Sequence, residues 1–266
     1  MSFSLPSVLT IAGSDPSGGA GIQADLKTIA AFSLYGSSVI TALTAQNTTK
    51  VYLVEDVSIP MLTNQLDAVL SDIPPQAIKI GMAGSPSSIE VIASRLSKFP
   101  SIPVVLDPVM VSTSGGTLFE KVGNKNLTEM LFPLATLVTP NIPEAQALLS
   151  TKSLFLSNQD MEEAATELWD KYNTSFLLKG GHSDSHASDV LCHKGSIKWF
   201  YGDRIQTQNN HGTGCTLSSA IACGLAKGNG LEDSILSAKE YINGALMAGL
   251  ELGKGNGPMW HGYKKS

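Results

Sequence analysis

AIKIGMAGSPSSIEVIASRLSKFPSIPVVLD, residues 77–107, is the stretch that decides the fold class. It predicts a strand at 77–80, a helix at 87–98 and a second strand at 102–107. We interpret both strands as continuously apolar runs, which are typical of parallel strands covered on both faces. A strand, a helix and another strand in succession form the repeating unit of an α/β fold.

The same alternation continues in both directions along the chain. Further strands are predicted at 7–12, 37–43, 51–57, 135–139, 175–179, 189–193 and 197–201, and helices at 20–33, 61–72, 121–132, 142–149, 159–171, 214–227 and 231–252. The HKGS link between the last two strands predicts a hairpin late in the sheet. Because no linker, low-complexity stretch or internal repeat interrupts the pattern, we expect residues 1–266 to form one domain around a mostly parallel sheet.

Composition excludes several classes of protein. The chain has 266 residues, of which 42% are hydrophobic and 15% charged, unlike a disordered chain. A net charge of −5 without a basic block argues against a nucleic-acid partner. The three cysteines lack a C-x-x-C spacing, so neither a disulfide scaffold nor a cysteine zinc site is expected. Apolar runs are far shorter than the ~20 residues of a membrane helix. Since the amino terminus has no basic leader segment, we expect a soluble cytoplasmic protein.

A glycine-rich loop follows the first predicted strand, at residues 13–25. Gly19, Gly21 and Ala24 fit the G-x-G-x-x-A spacing of dinucleotide-binding turns. That interpretation needs an acidic residue at the end of the next strand, and residues 44–47 (TAQN) contain none. The alternatives are a simple turn and a loop that lets a substrate approach the backbone.

Four polar residues lie directly after predicted strands or in the first turns of the helices that follow them, near the edge where ligands bind in such sheets. Asp25 either complements a helix dipole or accepts a hydrogen bond from a substrate. Asp107 ends a buried strand, so it is either a cap or a ligand of Mg²⁺. Asn141 and Glu144 have the spacing of a helix cap, yet Glu144 could join Asp107 in holding Mg²⁺.

The segment NHGTGCTLSSAIA, residues 210–222, predicts an anion site. Gly212-Thr213-Gly214 leads directly into a helix, whose first N–H groups can bind phosphate. We expect the helix dipole to lower the pKa of the Cys215 thiol. A Cys215–His211 nucleophile pair and an inert buried Cys215 are the alternatives.

Other polar and sulfur-containing side chains have less certain roles. Lys179 ends a buried strand and either contacts phosphate or extends to solvent at the sheet edge. His182 and His186 are expected to be solvated rather than to bind metal. Cys192 and Cys223 are expected to be packing residues.

Seven motifs together resemble the hydroxymethylpyrimidine/phosphomethylpyrimidine kinases of thiamine biosynthesis, over about residues 8–250. The motifs are LTIAGSDPSGGAGIQADLKT, SVITALTAQNT, KIGMAGS, VVLDPVM, LVTPNIPEA, LLKGGH and NHGTGCTLSSAIA. The resemblance implies a ribokinase-like three-layer α/β/α sandwich. It also implies transfer of phosphate from ATP, with Mg²⁺, to the pyrimidine and then to its monophosphate, in a homodimer.

The resemblance assigns roles to individual residues. Those at positions of the pyrimidine pocket are Gly13, Asp25, Gln46, Met82 and Val109. The expected roles are a bidentate amide for Gln46 and contact with the two ring faces for Met82 and Val109. Those at the anion hole are Gly212, Thr213, Gly214 and Cys215, with Cys215 accepting or orienting the hydroxyl proton. Those near nucleotide and metal are Asn141 and Lys179 at the phosphates, Lys239 and Asn243 on the adenine side, and Asp107 and Glu144 at Mg²⁺.

One segment departs from the family, and three other functions stay open. Residues 113–118 are TSGGTL, where the family commonly has KSGDPL, which bears on the second phosphorylation. A pyridoxal/pyridoxine kinase shares the fold and the cysteine anion hole. A nicotinamide oxidoreductase is disfavoured by the missing ribose acid. A non-catalytic ligand-binding protein is disfavoured by the intact polar residues.

Overall fold

Nine strands form one sheet in the computed structural model, which describes residues 5–109, 125–151, 157–180 and 187–264. The strands are β1 Ser7–Ser14, β2 Tyr35–Gln46, β3 Val51–Asp56, β4 Ala77–Ile80, β5 Val104–Leu106, β6 Leu137–Val138, β7 Phe176–Lys179, β8 Asp189–His193 and β9 Ser196–Phe200. Their order is β3-β2-β1-β4-β5-β6-β7-β8-β9. The run from β2 to β7 is parallel, while β3, β8 and β9 pair antiparallel. The prediction of a mostly parallel sheet is confirmed.

Seven α-helices in the described part of the chain cover the two faces of the sheet. They are α1 Gly21–Ala31, α2 Ile59–Asp72, α3 Pro86–Leu96, α4 Ile142–Leu149, α5 Asn158–Tyr172, α6 Thr213–Ala226 and α7 Leu231–Met247. Helices α2 to α5 pack on one face and α1, α6 and α7 on the other, so the predicted three-layer sandwich is confirmed. Strand β7 shows how the layers form, because Leu177 and Leu178 enter opposite cores.

The late hairpin is also confirmed. Strands β8 and β9 are joined by Lys194 and Gly195, both at positive φ (50° and 74°). Two consecutive residues at positive φ are typical of the tight turns whose twist matches that of a hairpin.

Two predicted helices end or wind differently. The helix expected at 231–252 ends at Met247, shortly before Gly249 at φ +58°. Of the helix expected at 121–132, residues 121–124 lie outside the described part. The remainder winds as a π turn at Leu127–Leu131 and a 3-10 turn at Phe132–Leu134, where Pro133 cannot donate a backbone hydrogen bond.

Two further expectations fall outside the described residues, namely those for the 113–118 segment and for His182 and His186. Within the described residues, no helix is both long and apolar enough to span a membrane.

Candidate active site

A crevice of about 1170 Å³ lies at the carboxyl edge of the parallel strands. Ligands of open α/β sheets bind at this edge. All the site residues predicted from the sequence line the crevice except Asp25. They are Gly13, Gln46, Met82, Asp107, Val109, Asn141, Glu144, Lys179, Gly212, Thr213, Gly214, Cys215, Lys239 and Asn243.

The first turn of α6 forms the floor of the crevice. Gly212 precedes the helix at φ +83°, a left-handed conformation that favours glycine. The N–H groups of Gly214 and Cys215 have no acceptor within the helix, because they belong to its first turn. The turn therefore supplies N–H groups and the positive end of a helix dipole to the crevice.

Asp107 and Lys179 meet directly beside this turn. The Lys179 ammonium donates to Asp107 Oδ1 at 2.9 Å, and Thr139 Oγ1 donates to the same oxygen at 3.2 Å. A β-carbon on Gly214 would lie 3.2 Å from Asp107 Oδ2 and 3.4 Å from Lys179 Nζ. The structure therefore places a carboxylate, an ammonium and helix N–H groups around one small space. Preorganised donors of this kind can stabilise negative charge on a bound group.

The charge of Lys179 is held in place by its neighbours. Burial alone would lower its pKa, but the carboxylates of Asp107 and Glu144 raise it above its ordinary value. Lys179 is therefore a fixed cation of the crevice wall, rather than a lysine that extends to solvent.

Asn141 and Glu144 form the capping box that their spacing allowed. The Asn141 side chain accepts from the Glu144 N–H at 2.9 Å, and Glu144 Oε2 accepts from the Asn141 N–H at 2.8 Å. Both residues also line the crevice, so the structural role does not remove them from the site.

Cys215 is a neutral thiol, which corrects the prediction of a partial thiolate. Burial raises its pKa to about 11, although the nearby Lys79 charge opposes this. The thiol accepts a backbone hydrogen bond from Gly21, at the start of α1. The dipole argument failed because the loss of solvation outweighs the favourable field of the helix terminus.

His211 does not form a nucleophile pair with Cys215. Its Nε2 lies 3.0 Å from Asp15 Oδ2, on the loop after β1. Sequence reasoning gave Asp15 no role, although it lies in the glycine-rich loop that was singled out.

The end of the crevice near β1 and β2 is lined by the residues assigned to the pyrimidine pocket. A β-carbon on Gly13 would lie 2.3 Å from Met82 Cε, so the methionine side chain covers this glycine. Gln46 and Val109 line the same crevice. The combination of an apolar surface with one amide suits a small heteroaromatic ring.

At the other end, Lys239 is already paired. Its ammonium lies 2.5 Å from Asp189 Oδ2 and 2.8 Å from the Ala187 carbonyl oxygen. Asp189 Oδ1 also accepts from the Gly180 N–H at 3.0 Å. The sequence analysis placed Lys239 on the adenine side and did not identify Asp189 as its partner.

The prediction that Asp25 contacts substrate is corrected, because Asp25 is fully buried behind the crevice. Both its oxygens accept from Lys79 Nζ, at 2.8 and 3.0 Å. Thr10 Oγ1 and Ser219 Oγ donate to it at 2.6 and 2.7 Å. The carboxylate therefore joins β1, β4, α1 and α6.

Lys79 is the main residue that sequence reasoning missed, since the strand at 77–80 was interpreted as apolar throughout. The side chain is completely buried. Burial alone would lower its pKa, but the negative charges of Asp25 and Asp107 raise it. One lysine inside a four-residue buried strand was the available signal, because a buried charge needs a partner.

We expect Lys79→Met to lower the free energy of unfolding by about 3–5 kcal/mol, because it leaves the Asp25 carboxylate buried without its cation. Urea unfolding measures the change. The matched control is Arg95→Met, which breaks the exposed pair with Asp67 and should cost below about 1 kcal/mol. Equal losses in the two variants would contradict the role of the buried pair.

Two of the carboxylates that line the crevice are the candidates for holding a metal ion. Among the residues that the structure describes, no group of three or more His, Cys, Asp or Glu side chains is arranged to hold a metal ion. Asp107 and Glu144 line the same crevice beside Lys179. Such a pair suits Mg²⁺, which is usually held by one or two carboxylates together with water and phosphate oxygens.

Known proteins resemble this chain over nearly its whole length. The family model described as phosphomethylpyrimidine kinase matches residues 15–260. A thiamine biosynthesis bifunctional protein ThiED from Geobacter sulfurreducens is 47% identical over 97% of this chain, which spans 53% of that protein. A hydroxymethylpyrimidine/phosphomethylpyrimidine kinase from Rhizobium meliloti is 46% identical, with 96% of this chain and 97% of that protein covered.

A solved structure extends the likeness to three dimensions. The ADP complex of Bacillus subtilis pyridoxal kinase superposes with a TM-score of 0.90 at 34% identity, covering 98% of both chains. This chain is therefore nearer in sequence to the two thiamine-biosynthesis relatives than to this pyridoxal kinase, whose fold it shares.

Proposed function

Since this chain belongs to the phosphomethylpyrimidine kinase family, we propose that its crevice transfers the γ-phosphoryl group of ATP to hydroxymethylpyrimidine, and then to the resulting monophosphate. The fold is ribokinase-like and the activity is that of a phosphotransferase in thiamine biosynthesis. The observation that carries the assignment of the reacting centre is the meeting of Gly214, Asp107 and Lys179 at the start of α6.

In the proposed reaction, the hydroxymethyl oxygen forms a bond to the γ-phosphorus while the bond to the β,γ-bridging oxygen breaks. The hydroxyl proton leaves to solvent or to a phosphate oxygen. Because the transition state of phosphoryl transfer is loose, positioning and charge stabilisation matter more than base strength. Lys179 and the N–H groups of the α6 turn supply fixed positive charge for the transferred group.

Cys215 orients the acceptor hydroxyl in this proposal. Its thiol is protonated near neutral pH, because its pKa lies at about 11. A resting thiolate base is therefore not required. The thiol lies between the first turns of α1 and α6, where the pyrimidine and phosphate ends of the crevice meet.

The pyrimidine occupies the end of the crevice near Gly13. Met82 and Val109 contact the ring, and Gln46 presents its amide carbonyl and NH₂ group to the ring edge. Support comes from the covering of Gly13 by Met82 and from the placement of all four residues in the crevice. Asp25 acts behind the crevice and does not touch the substrate in this proposal.

The nucleotide occupies the opposite end. Asn141 lies near its phosphates, and Asn243 on the adenine side. Because Lys239 is paired with Asp189, it shapes the wall rather than supplying a free charge. Asp107 and Glu144 would hold Mg²⁺, which when bound neutralises charge on the β- and γ-phosphates.

We expect Cys215→Ser to keep the fold and to lower kcat about a hundred-fold, because the hydroxyl is smaller and positions the acceptor differently. Steady-state kinetics and thermal unfolding measure the two effects. Cys223→Ala is the matched control, since Cys223 lies on the same helix within the core. Unchanged kcat and KM in Cys215→Ser would overturn the role of this thiol.

The proposed function is tested by ADP release from MgATP with separate acceptors. These are hydroxymethylpyrimidine, its monophosphate, pyridoxal and ribose. We expect turnover of both pyrimidines and little on ribose. Turnover of neither pyrimidine would overturn the proposal.

Pyridoxal is the second candidate acceptor, and the superposition on Bacillus subtilis pyridoxal kinase favours testing it. A dominant pyridoxal rate would move the substrate assignment to vitamin B6. The nicotinamide oxidoreductase is no longer a candidate, because the family is that of kinases.

We also propose a cytoplasmic homodimer, in keeping with an ATP-consuming biosynthetic enzyme. Strand β3 forms one edge of the sheet and exposes Tyr52, Leu53 and Val54 at 59, 62 and 39%. An exposed apolar edge strand is a surface that proteins usually cover. Light scattering of the purified protein measures the mass, and a monomer at micromolar concentration would contradict the dimer.

A further inference from the structure

A hydrogen bond joins the two glycine-rich loops that enclose the middle of the crevice. The first loop follows β1 and contains Asp15, and the second precedes α6 and contains His211. Asp15 Oδ2 lies 3.0 Å from His211 Nε2, although 196 residues separate them in the chain. The Asp15 and His211 side chains are only 2 and 13% exposed, so solvent competes little for this contact.

Asp15 is held rigidly on its own side. Its oxygens accept from the Ser17 N–H at 2.8 Å, the Ser17 hydroxyl at 2.9 Å and the Ala20 N–H at 2.8 Å. Burial alone would raise its pKa, but hydrogen bonds from His211, Ser17, Gln46 and Ala20 hold it well below the ordinary value. Asp15 is therefore ionised near neutral pH and can only accept hydrogen bonds. The contact with Asp15 is therefore a hydrogen bond only when His211 presents an N–H at Nε2.

The second loop packs directly against the backbone of the first loop. A β-carbon on Gly212 would lie 1.8 Å from the Gly19 carbonyl oxygen, and one on Gly19 would lie 2.4 Å from His211 Cδ2. The His211 N–H also donates to the Gly257 carbonyl oxygen at 3.1 Å. Any shift of His211 is therefore passed directly to Gly212 and to the start of α6.

We propose that Asp15 and His211 are a positioning pair, which fixes the phosphate-binding turn of α6 relative to the loop on the substrate side. Neither residue acts on the reacting atoms. The role rests on the proposed function, because it concerns the alignment of the acceptor with the transferred phosphoryl group. Misplacement of catalytic groups by about 1 Å can cost about 100-fold in rate.

Two substitutions at one position separate hydrogen bonding from packing. In His211→Gln, the amide N–H lies as many bonds from Cα as Nε2, so it can still donate to Asp15. In His211→Asn, the amide is one bond short. We expect kcat within about threefold of wild type for His211→Gln and about 100-fold lower for His211→Asn. KM for ATP should change less than kcat in both, since Lys179 and Asn141, which also lie at the phosphates in the proposed function, are on other elements.

Thermal unfolding of both variants controls for a merely structural effect. If the two variants unfold at similar midpoint temperatures but differ in kcat, the positioning role is supported. Equal kcat values in the two variants would overturn it, as would a loss of kcat that simply follows the loss of folded protein.

A second readout does not depend on turnover. The imidazole nitrogen resonances of His211, assigned by comparison with His211→Gln, should show a proton on Nε2 in wild type and should shift in Asp15→Asn. Unshifted resonances would overturn the pair even in an active enzyme. Shifted resonances in a protein that phosphorylates no acceptor would instead locate the failure in the proposed function.

Discussion

Replacement of Lys179 by methionine is expected to lower kcat/KM about a thousand-fold. The change removes the fixed cation beside the α6 turn, where the γ-phosphoryl group is transferred in the proposed reaction. Removal of one preorganised group of this kind typically costs 10²–10³-fold in kcat. It also leaves Asp107, whose side chain is 4% exposed, without its cation. Steady-state kinetics with hydroxymethylpyrimidine and MgATP measure the loss.

The matched control is Lys198→Met, which removes a lysine paired with Glu232 on the surface, both side chains being half exposed. Its kinetics should equal those of wild type, since surface pairs contribute little. Because Lys179→Met also unpairs a buried carboxylate, its folded fraction at the assay temperature is measured by circular dichroism. A folded Lys179→Met protein within tenfold of wild-type kcat/KM would contradict the proposed phosphate contact.

Substitution of Gly212 by alanine is expected to lower kcat by more than about 100-fold. The added methyl group would collide with the Gly19 carbonyl oxygen, so the two loops must separate. The left-handed backbone at φ +83° adds roughly 1–2 kcal/mol of strain for a residue with a β-carbon. Kinetics and urea unfolding report the two consequences.

Gly228→Ala separates these two contributions. Gly228 has the same φ of +83°, yet a β-carbon there would meet nothing within 4 Å. Gly228→Ala should therefore lose only the stability that corresponds to the added backbone strain, and it should keep wild-type kcat. If Gly212→Ala behaved like Gly228→Ala in both measurements, the close contact between the loops would not be needed for activity.

The order of strands and helices was predictable from the sequence because local patterns determine it. Continuous apolar runs such as residues 175–179 identified buried parallel strands, and the segments after them identified the crevice. Strand and helix ends were less predictable. Strand β2 begins at Tyr35 rather than at 37, and β6 shrinks to Leu137–Val138, because pairing with neighbours sets the ends.

Pairings between distant residues could not be predicted from spacing. Lys79 and Asp25 are 54 residues apart, and their pairing depends on the packing of α1 across β1 and β4. The partner of Lys239 was hidden for the same reason, since Asp189 appeared only as the start of a strand. The resemblance to the family placed Asp25 at the substrate, whereas its burial against Lys79 removes it from the crevice.

The solvent exposure of the Cys215 thiol was the other property that could not be predicted from the sequence. The start of a helix predicts a lowered pKa for Cys215, and this expectation is correct for an exposed thiol. In the structure Cys215 is only partly exposed, and the loss of solvation raises the pKa of its thiol to about 11. The pKa of a cysteine at the start of a helix thus depends on how far its thiol is exposed to solvent, which the motif alone does not specify.

The most direct test of the central claim is the identity of the products formed from hydroxymethylpyrimidine and MgATP, followed over time by mass spectrometry. The account predicts that the monophosphate appears first and is then converted to the pyrophosphate, with one ADP formed for each phosphoryl group transferred. Release of ADP without any phosphorylated pyrimidine would contradict it, as would phosphorylation of pyridoxal in a protein that leaves the pyrimidine unchanged.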